Sequence, residues 1–256
     1  MDEAIKEDRP VFLNFCSLKL GSIGQSESPF AARKATLGQL FIALLYWRSV
    51  AMVSFHITGD ELWKRMNRAV EKIQERLERT AKTLAAAKIP YAIIGGNAVR
   101  AWVAQADEAA VRTTRDVDIL LQRSDLSAAI EAMEAAGFTF RIVRGLHMFL
   151  DGPNAKARDA VHVLFAGEKV RPSDILPAPE IIESEPMDSQ NVLTLEALVR
   201  MKLNVFRDKD RMHLRDMLDV ELIDQSWTAR FQPELAARLQ ELIDNPEDSI
   251  EGAYEE

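Results

Sequence analysis

The stretch from residue 91 to residue 121 constrains the fold more than any other part of the chain. A short apolar segment, Tyr91–Ile94, runs directly into Gly95-Gly96, and a helical pattern follows over Asn97–Ala106. A second apolar segment, Val117–Leu121, comes after a polar linker. A strand, a glycine turn, a helix and another strand in this order predict an α/β fold built on a sheet.

Two aspartates, Asp116 and Asp118, stand at the start of the second apolar segment with one residue between them. Because side chains alternate faces along a strand, residues two apart point the same way. Two carboxylates held close repel each other unless a cation lies between them. Oxygen ligands suit Mg²⁺, which takes water and substrate phosphates as its remaining ligands. The spacing therefore predicts a site for Mg²⁺, or Mn²⁺, at these two residues.

Gly95 and Gly96 lie where the first strand meets the helix. Glycine lets the backbone approach a ligand closely, and a helix N-terminus presents free N–H groups. We therefore expect Gly95, Gly96 and Asn97 to cradle the phosphates of a nucleotide. A glycine pair or an Asp-x-Asp alone is more often a plain turn or a solvated strand edge. The two together, with a helix between them, favour a functional site.

This pattern resembles the polymerase-β-like nucleotidyltransferase superfamily, with its Gly-Gly or Gly-Ser turn and downstream Asp-x-Asp. The form Arg112-x-Thr114-x-Asp116-x-Asp118 is most similar to the branch that contains the AbiEii toxins and related small nucleotidyltransferases. The resemblance covers roughly residues 85–220. It implies that the glycine turn engages a nucleoside triphosphate and that the two aspartates bind metal. Arg112 and Thr114 are expected to shape the loop that enters the strand.

Downstream, Leu193–Lys202 followed by Arg215-Asp216-x-x-Asp219 is similar to the helical part of the same branch. There a lysine on the first helix contacts phosphate, so the resemblance implies this role for Lys202. Asp216 and Asp219 are expected to bond neighbouring helices. An ordinary solvated helix face is the alternative explanation for the surrounding charges. The basic members of this group are Arg200, Lys202, Arg207, Lys209, Arg211 and Arg215.

Active members of the superfamily usually carry a third carboxylate on a later strand, and here the matching position in Ala160–Phe165 is His162. His162 is a candidate base because its unperturbed pKa lies near neutrality. Alternatively it ligates a softer metal such as Mn²⁺. Asp159 is a second candidate, but in a regular strand it faces the opposite side unless a bulge intervenes. The third alternative is that the chemistry is lost and a nucleotide binder remains.

The chain of 256 residues has the length of one medium domain with a small helical companion. We expect a nucleotidyltransferase core with a small mixed sheet at 58–187, a helical subdomain at 188–245 and an acidic tail at 246–256. Residues 1–57 mix a Gly/Ser/Pro stretch with an apolar run and are interpreted as an N-terminal extension. Translation from Met52 is the alternative.

Other elements follow from periodicity and turn residues. A capping-box pattern at Thr58 predicts a helix over Asp60–Ala87. The Pro-rich passage Pro172–Pro186 is interpreted as an extended crossover, with only helices beyond it. The remaining predicted elements are a hairpin of Thr139–Val143 and His147–Leu150, and helices ending at Ala136 and over Leu195–Phe206, Leu214–Ile223 and Pro233–Ile243.

Charge and cysteine content limit the partners and the compartment. The net charge of −8 argues mildly against nucleic acid as an obligatory partner, since duplex binders are usually basic. The single cysteine, Cys16, permits no intrachain disulfide, and the acidic N-terminus is unlike a signal peptide. The apolar run Leu40–Trp47 is too short to cross about 30 Å of hydrocarbon. We therefore expect a cytoplasmic protein without a membrane anchor.

The leading hypothesis is metal-dependent transfer of a nucleoside monophosphate from an NTP to a hydroxyl or phosphate acceptor, with release of pyrophosphate. The acceptor is left open among RNA, a protein side chain and a small molecule. The family resemblance also raises toxin activity with an antitoxin-like partner. The alternatives are a catalytically inactive nucleotide-binding or partner-docking module of the same fold, and a purely structural interaction protein.

Overall fold

The computed structural model describes residues 59–246. The interpretation of residues 1–57, the start at Met52 and the Thr58 cap lie outside the described residues. So does the acidic tail beyond residue 246.

Six helices and seven strands make up the part of the chain that the structure describes. The helices are α1 Gly59–Ala86, α2 Gly95–Ala106, α3 Leu126–Ala135, α4 Leu195–Val205, α5 Asp208–Asp219 and α6 Pro233–Asp244. The strands are β1 Tyr91–Ile94, β2 Val117–Leu121, β3 Thr139–Val143, β4 Leu146–Leu150, β5 Ala160–Phe165, β6 Ser184–Met187 and β7 Gln190–Leu193.

The seven strands form one mixed sheet in the order β3-β4-β5-β2-β1-β7-β6. At its centre β2 pairs antiparallel with β1 and parallel with β5, while β1 pairs parallel with β7. The outer pairs, β3 with β4, β4 with β5 and β6 with β7, are antiparallel. The predicted α/β fold with a mixed sheet is confirmed.

The two central strands are apolar on both faces. All four residues of β1 are buried, and β2 is buried except at Asp118. A nearly continuous apolar run is what a strand covered on both sides requires. Asp118 is the one break in that run, so a partly exposed carboxylate stands at the centre of the sheet.

The largest departure from the sequence prediction is the hairpin of β6 and β7. We expected an extended crossover over Pro172–Pro186 and only helices afterwards, which is wrong. Asp188 adopts a φ of 52° in the turn, and Val192 and Leu193 are buried beside β1. Pro186 is tolerated because β6 is the edge strand. The domain boundary predicted after residue 187 falls inside this hairpin and stays a prediction.

The helical predictions differ from the structure mainly at their ends. Phe206, which we included in a helix, instead ends α4 with a left-handed φ of 52°. The helix predicted over Leu214–Ile223 begins earlier and ends earlier, as α5. Its start is stabilised by Asp210, whose carboxylate accepts the backbone N–H of Arg207. None of the helices between residues 59 and 246 is long and apolar enough to cross a membrane.

Candidate functional site

A polar site lies where β1 runs into α2. The strand register brings its members together, since Asp118 on β2 pairs with Ile94 on one side and with His162 on the other. Ile94 is followed directly by Gly95 at the start of α2. The glycine turn, Asp118 and His162 are therefore neighbours through backbone pairing alone.

Gly95 has a conformation and a position that only glycine suits. Its φ is +68°, in the left-handed region that L side chains rarely adopt. A Cβ at this position would overlap Oδ2 of Asp118. The carboxylate of Asp118 thus lies directly against the backbone of the glycine turn, and any side chain on Gly95 would displace it.

The loop that precedes β2 is held on α2 by two contacts. A Cβ on Gly96 would lie 2.5 Å from Oγ1 of Thr114, so the loop packs on the bare glycine. The amide Nδ2 of Asn97 donates to the carbonyl of Asp116 at 2.7 Å. The side chain of Asn97 is thus bonded to the protein backbone, and its contact with phosphate stays a prediction.

His162 is bonded to Asp118, with 3.3 Å between Nδ1 and Oδ1. The hydrogen bond to Asp118 raises the pKa of His162, and the charges of Asp118 and Asp116 add to it against partial burial. Both aspartates therefore act on the same imidazole.

Asp116 has a different partner, Lys209, whose Nζ lies 2.9 Å from Oδ2. Partial burial raises the pKa of Asp116, but the bond to Lys209 and the nearby cations lower it by more. Each of the two carboxylates thus has a basic side chain of its own as a partner. Lys209 was not singled out from the sequence, where it is one of several charges that alternate in sign.

Lys202 is buried in an ion pair. Its Nζ lies 3.1 Å from Oδ1 of Asp210, and Arg207 Nε lies 2.9 Å from the other oxygen. Burial raises the pKa of Asp210, but these two cations lower it by more. The charge of Asp118 also reaches Lys202. Lys202 therefore stands near the site with its ammonium bonded to the protein, and its contact with phosphate stays a prediction.

Arg112 and Asp216 join the loop before β2 to α5, with 2.7 Å between Nε and Oδ1. Asp216 was expected to bond a neighbouring helix, but it bonds Arg112 in this loop instead. Asp159, the second candidate for the third carboxylate, lies in the short helical turn before β5 and not within the strand. His162 alone occupies the strand position beside Asp118.

A cavity of about 220 Å³ opens beside Asp116, between α2, the loop before β2 and α5. It is lined by charged and small polar side chains together with a few apolar ones. The polar members of its wall are Arg100, Arg112, Thr113, Thr114, Arg115, Asp116, Lys209, His213 and Asp216. Burial lowers the pKa of His213 to about 3, and the charges of Lys202 and Lys209 act in the same direction.

The side chains at this site could supply only some of the ligands of a metal ion, so water and phosphate would have to supply the rest. No three or more His, Cys, Asp or Glu side chains within residues 59–246 are grouped around one point. Asp116 and Asp118 offer carboxylate oxygens only, and Asp118 rests on a glycine cradle that a Cβ would fill. This set suits Mg²⁺ with water and phosphate ligands, and not zinc, which takes three or four protein ligands.

Replacing Gly95 by alanine is expected to reduce activity at this site by about 10²-fold, because a displacement of about 1 Å at a reacting group costs that much. The new Cβ would displace the Asp118 carboxylate. The left-handed backbone adds about 1–3 kcal/mol of strain. The measurements are nucleotide transfer and thermal unfolding of the purified variant.

Gly137→Ala is the matched control. Gly137 also has a positive φ, +89°, but nothing lies within 4 Å of the Cβ that alanine would add. It should lose similar stability and keep its activity. Equal activity in both alanine variants would show that the fit between Gly95 and Asp118 has no functional role.

No protein-family model and no curated protein matches the sequence. Solved structures with a similar fold include JHP933 from Helicobacter pylori, with 16% identity over 72% of this chain and 78% of that chain and a TM-score of 0.43. An antigenic nucleotidyltransferase-like protein from Paracoccidioides brasiliensis is 16% identical over 70% and 90%, with a TM-score of 0.47. The antibiotic-resistance factor ANT(2'')-Ia is 9% identical over 72% and 100%, with a TM-score of 0.40. What this site does must be inferred from its own residues.

Proposed function

We propose that the protein is a metal-dependent nucleotidyltransferase, which moves a nucleoside monophosphate from an NTP to an acceptor hydroxyl or phosphate. One observation carries the proposal, the packing of the Asp118 carboxylate against Gly95 at the start of α2. The N-terminus of α2 has no side-chain cap, so its N–H groups are free for an anion. A carboxylate for the metal and a cradle for phosphate thus lie side by side.

Asp116 and Asp118 are the proposed ligands of Mg²⁺ or Mn²⁺. A cation held by these two carboxylates would supply positive charge that stabilises the negative charge developing on the phosphate groups. Asp116 would exchange its bond with Lys209 for one to the cation, and Asp118 would do the same with His162. Both ion pairs are partly exposed, which keeps the cost of this exchange small.

The remaining residues bind phosphate or move a proton. Gly95, Gly96 and the N–H of Asn97 hold the β and γ phosphates, and Lys202 lowers the negative charge around them. The acceptor oxygen attacks the α phosphorus as the bond to pyrophosphate breaks, and its proton passes to His162. Release of Asp118 from His162 removes the main cause of the raised pKa of His162, which prepares the imidazole to accept that proton.

The second candidate is a catalytically inactive nucleotide-binding module of the same fold. Two observations favour it. The strand position beside Asp118 holds His162 where the superfamily usually has a carboxylate, and both aspartates are already paired with basic side chains of the protein itself. Such a module would bind an NTP without turning it over.

The proposals on the family branch, the partner and the location of the protein rest on the sequence alone. We propose kinship with the AbiEii-type branch on the Arg112-x-Thr114-x-Asp116-x-Asp118 motif, and an antitoxin-like partner follows from that kinship alone. We propose a location in the cytoplasm on the single cysteine of the sequence alone.

Label transfer tests the proposal. The purified full chain is incubated with each α-labelled NTP, Mg²⁺ or Mn²⁺, and in turn total RNA, lysate protein or a small-metabolite extract. We expect transfer with one NTP in the presence of metal and none with EDTA. Metal-dependent NTP binding without transfer supports the inactive module, and the absence of both binding and transfer contradicts both candidates.

A single substitution separates the two candidates further. His162→Asp restores the carboxylate that the superfamily usually has. If the natural protein is inactive and this variant turns over NTP, the inactive module is the better description. If the natural protein is active and the variant is slower, His162 takes part in the reaction as it stands.

A further inference from the structure

The cavity beside Asp116 lies next to the proposed reaction centre. Asp116 and Gly96 form part of its wall, and helices α2 and α5 supply most of the rest. A molecule in this cavity would therefore touch both the proposed metal ligand and the glycine turn. The other residues of the cavity wall have no part in the nucleotide binding proposed above.

The wall carries more positive than negative charge. Its cations are Arg100, Arg112, Arg115 and Lys209, against the two carboxylates Asp116 and Asp216. The carboxylates are bonded to Lys209 and Arg112. A surplus of positive charge at this point is notable because the whole chain has a net charge of −8. Such local charge attracts an anion.

The surplus of positive charge in the cavity wall comes from two arginines. Arg100 on α2 and Arg115 in the loop before β2 have no ion pair or hydrogen bond within the part of the chain that the structure describes. Arg100 is half-buried and Arg115 exposed. A guanidinium group recognises a carboxylate or a phosphate through paired N–H donors.

Two buried polar atoms in the same wall also lack partners. Thr114 and His213 are 8% and 5% exposed, and neither Thr114 Oγ1 nor His213 Nδ1 has a hydrogen-bond partner among residues 59–246. Buried polar atoms in folded proteins are nearly always bonded. Both atoms lie beneath the surface of the wall, with Thr114 Oγ1 packed against Gly96, so a ligand in the cavity would be held by the two arginines.

We propose that the cavity binds the acceptor of the transfer reaction, and that this acceptor is a small anionic molecule that carries a hydroxyl group. The inference rests on the proposed function and names its substrate class. Arg100 and Arg115 hold the phosphate or carboxylate group of the acceptor. The hydroxyl then faces Asp116, where it meets the nucleotide.

The size of the cavity favours a small molecule over an RNA end. A volume of about 220 Å³ holds a short phosphorylated or carboxylated molecule, since drug-sized ligands need about 300–1,000 Å³. An RNA acceptor would also need a basic surface beyond the cavity to neutralise its backbone. The net charge of −8 opposes such a surface.

The test compares three ligands with the same three-carbon skeleton, of which two carry an anionic group and one is neutral. Glycerol 3-phosphate, glycerate and glycerol are titrated into the full chain, with binding followed by calorimetry. We expect the two anions to bind more tightly than glycerol. The double variant Arg100→Ala, Arg115→Ala should weaken anion binding by about tenfold or more, as the loss of charge-assisted hydrogen bonds predicts. Arg68→Ala, at an exposed position of α1, is the matched control.

The results that would overturn this inference differ from the result that would overturn the proposed function. Anions that bind no better than glycerol, or that bind equally well to the double variant, overturn the inference. Transfer of label to RNA that is unaffected by the double variant also overturns it, in favour of a macromolecular acceptor. Failure of the proposed function has a different result: NTP binding is absent in the natural protein, while the anions still depend on Arg100 and Arg115.

Discussion

Replacing Asp118 by asparagine is expected to lower nucleotidyl transfer by about 10³-fold or more. A catalytic metal contributes several kcal/mol to the stabilisation of the transition state, and each 1.4 kcal/mol is about tenfold in rate. Asparagine keeps the shape of the side chain, so it still fits against Gly95, but it lacks the charge that holds the cation. The measurement is label transfer at saturating NTP and metal.

The substitution Asp118→Asn should lower the rate of transfer and leave the stability of the fold nearly unchanged. Asp118 is partly exposed and its bond to His162 is a partly solvated one, so thermal unfolding of the variant should change little. Asp60→Asn, at an exposed position on α1, provides the control for a generic loss of one carboxylate. Full activity in Asp118→Asn would remove this residue from the metal site and with it the main support for the proposed function.

Replacing Asp210 by alanine is expected to destabilise the protein by about 3–5 kcal/mol, because the buried ammonium of Lys202 loses its counter-ion. Asp210 is 2% exposed and Lys202 is 6% exposed, so water does not replace the lost partner. For a chain of this size the loss corresponds to a fall in Tm of about 10 °C. The loss should shrink as the pH rises, since burial lowers the pKa of Lys202 and its ammonium then releases its proton.

Two further variants make this result specific. Asp208→Ala removes an exposed carboxylate from the same first turn of α5 and should cost little. The double variant Lys202→Met, Asp210→Leu replaces the buried pair by apolar side chains and should recover most of the stability. Retention of NTP binding in this double variant would contradict the predicted phosphate contact of Lys202. A single Asp210→Ala variant as stable as the natural protein would contradict the buried pair itself.

The centre of the fold was predictable from the sequence because its signals are local. Tyr91–Ile94 and Val117–Leu121 are uninterrupted apolar runs except at Asp118, and glycines mark the turn between strand and helix. The hairpin around Arg144-Gly145 was equally clear, and both turn residues have positive φ. Strong apolar runs and glycine turns report on backbone structure without any knowledge of distant contacts.

The elements that were missed lack such signals. Strand β6 is a short edge strand with a proline, so neither its composition nor its periodicity indicates a strand. The start of α5 lies in a run of alternating charges, where the helix depends on Asp210 accepting the Arg207 N–H. Both depend on interactions that become visible only when the neighbouring segments are in place.

The same contrast applies to the site. Gly95, Asp118 and His162 were found from their places on predicted strands, and the register does bring them together. Lys209 was not, because its bond to Asp116 joins residues 93 positions apart. The cavity residues Arg100 and Arg115 carried no signal at all, since an arginine without a partner is indistinguishable from a solvated one until the walls around it are known.

The pairing of β1 with β7 has a consequence for synthesis of the protein. Ile93 pairs with Val192, and the strand on the other flank of β2 is β5, so the central strands receive their partners late in the chain. Contacts between distant segments slow folding because the intervening loop must close first. On the ribosome, β1 and β2 emerge as apolar segments with exposed edges well before β7 is available. During that interval β1 and β2 can pair only with each other, and their outer edges stay open to aggregation.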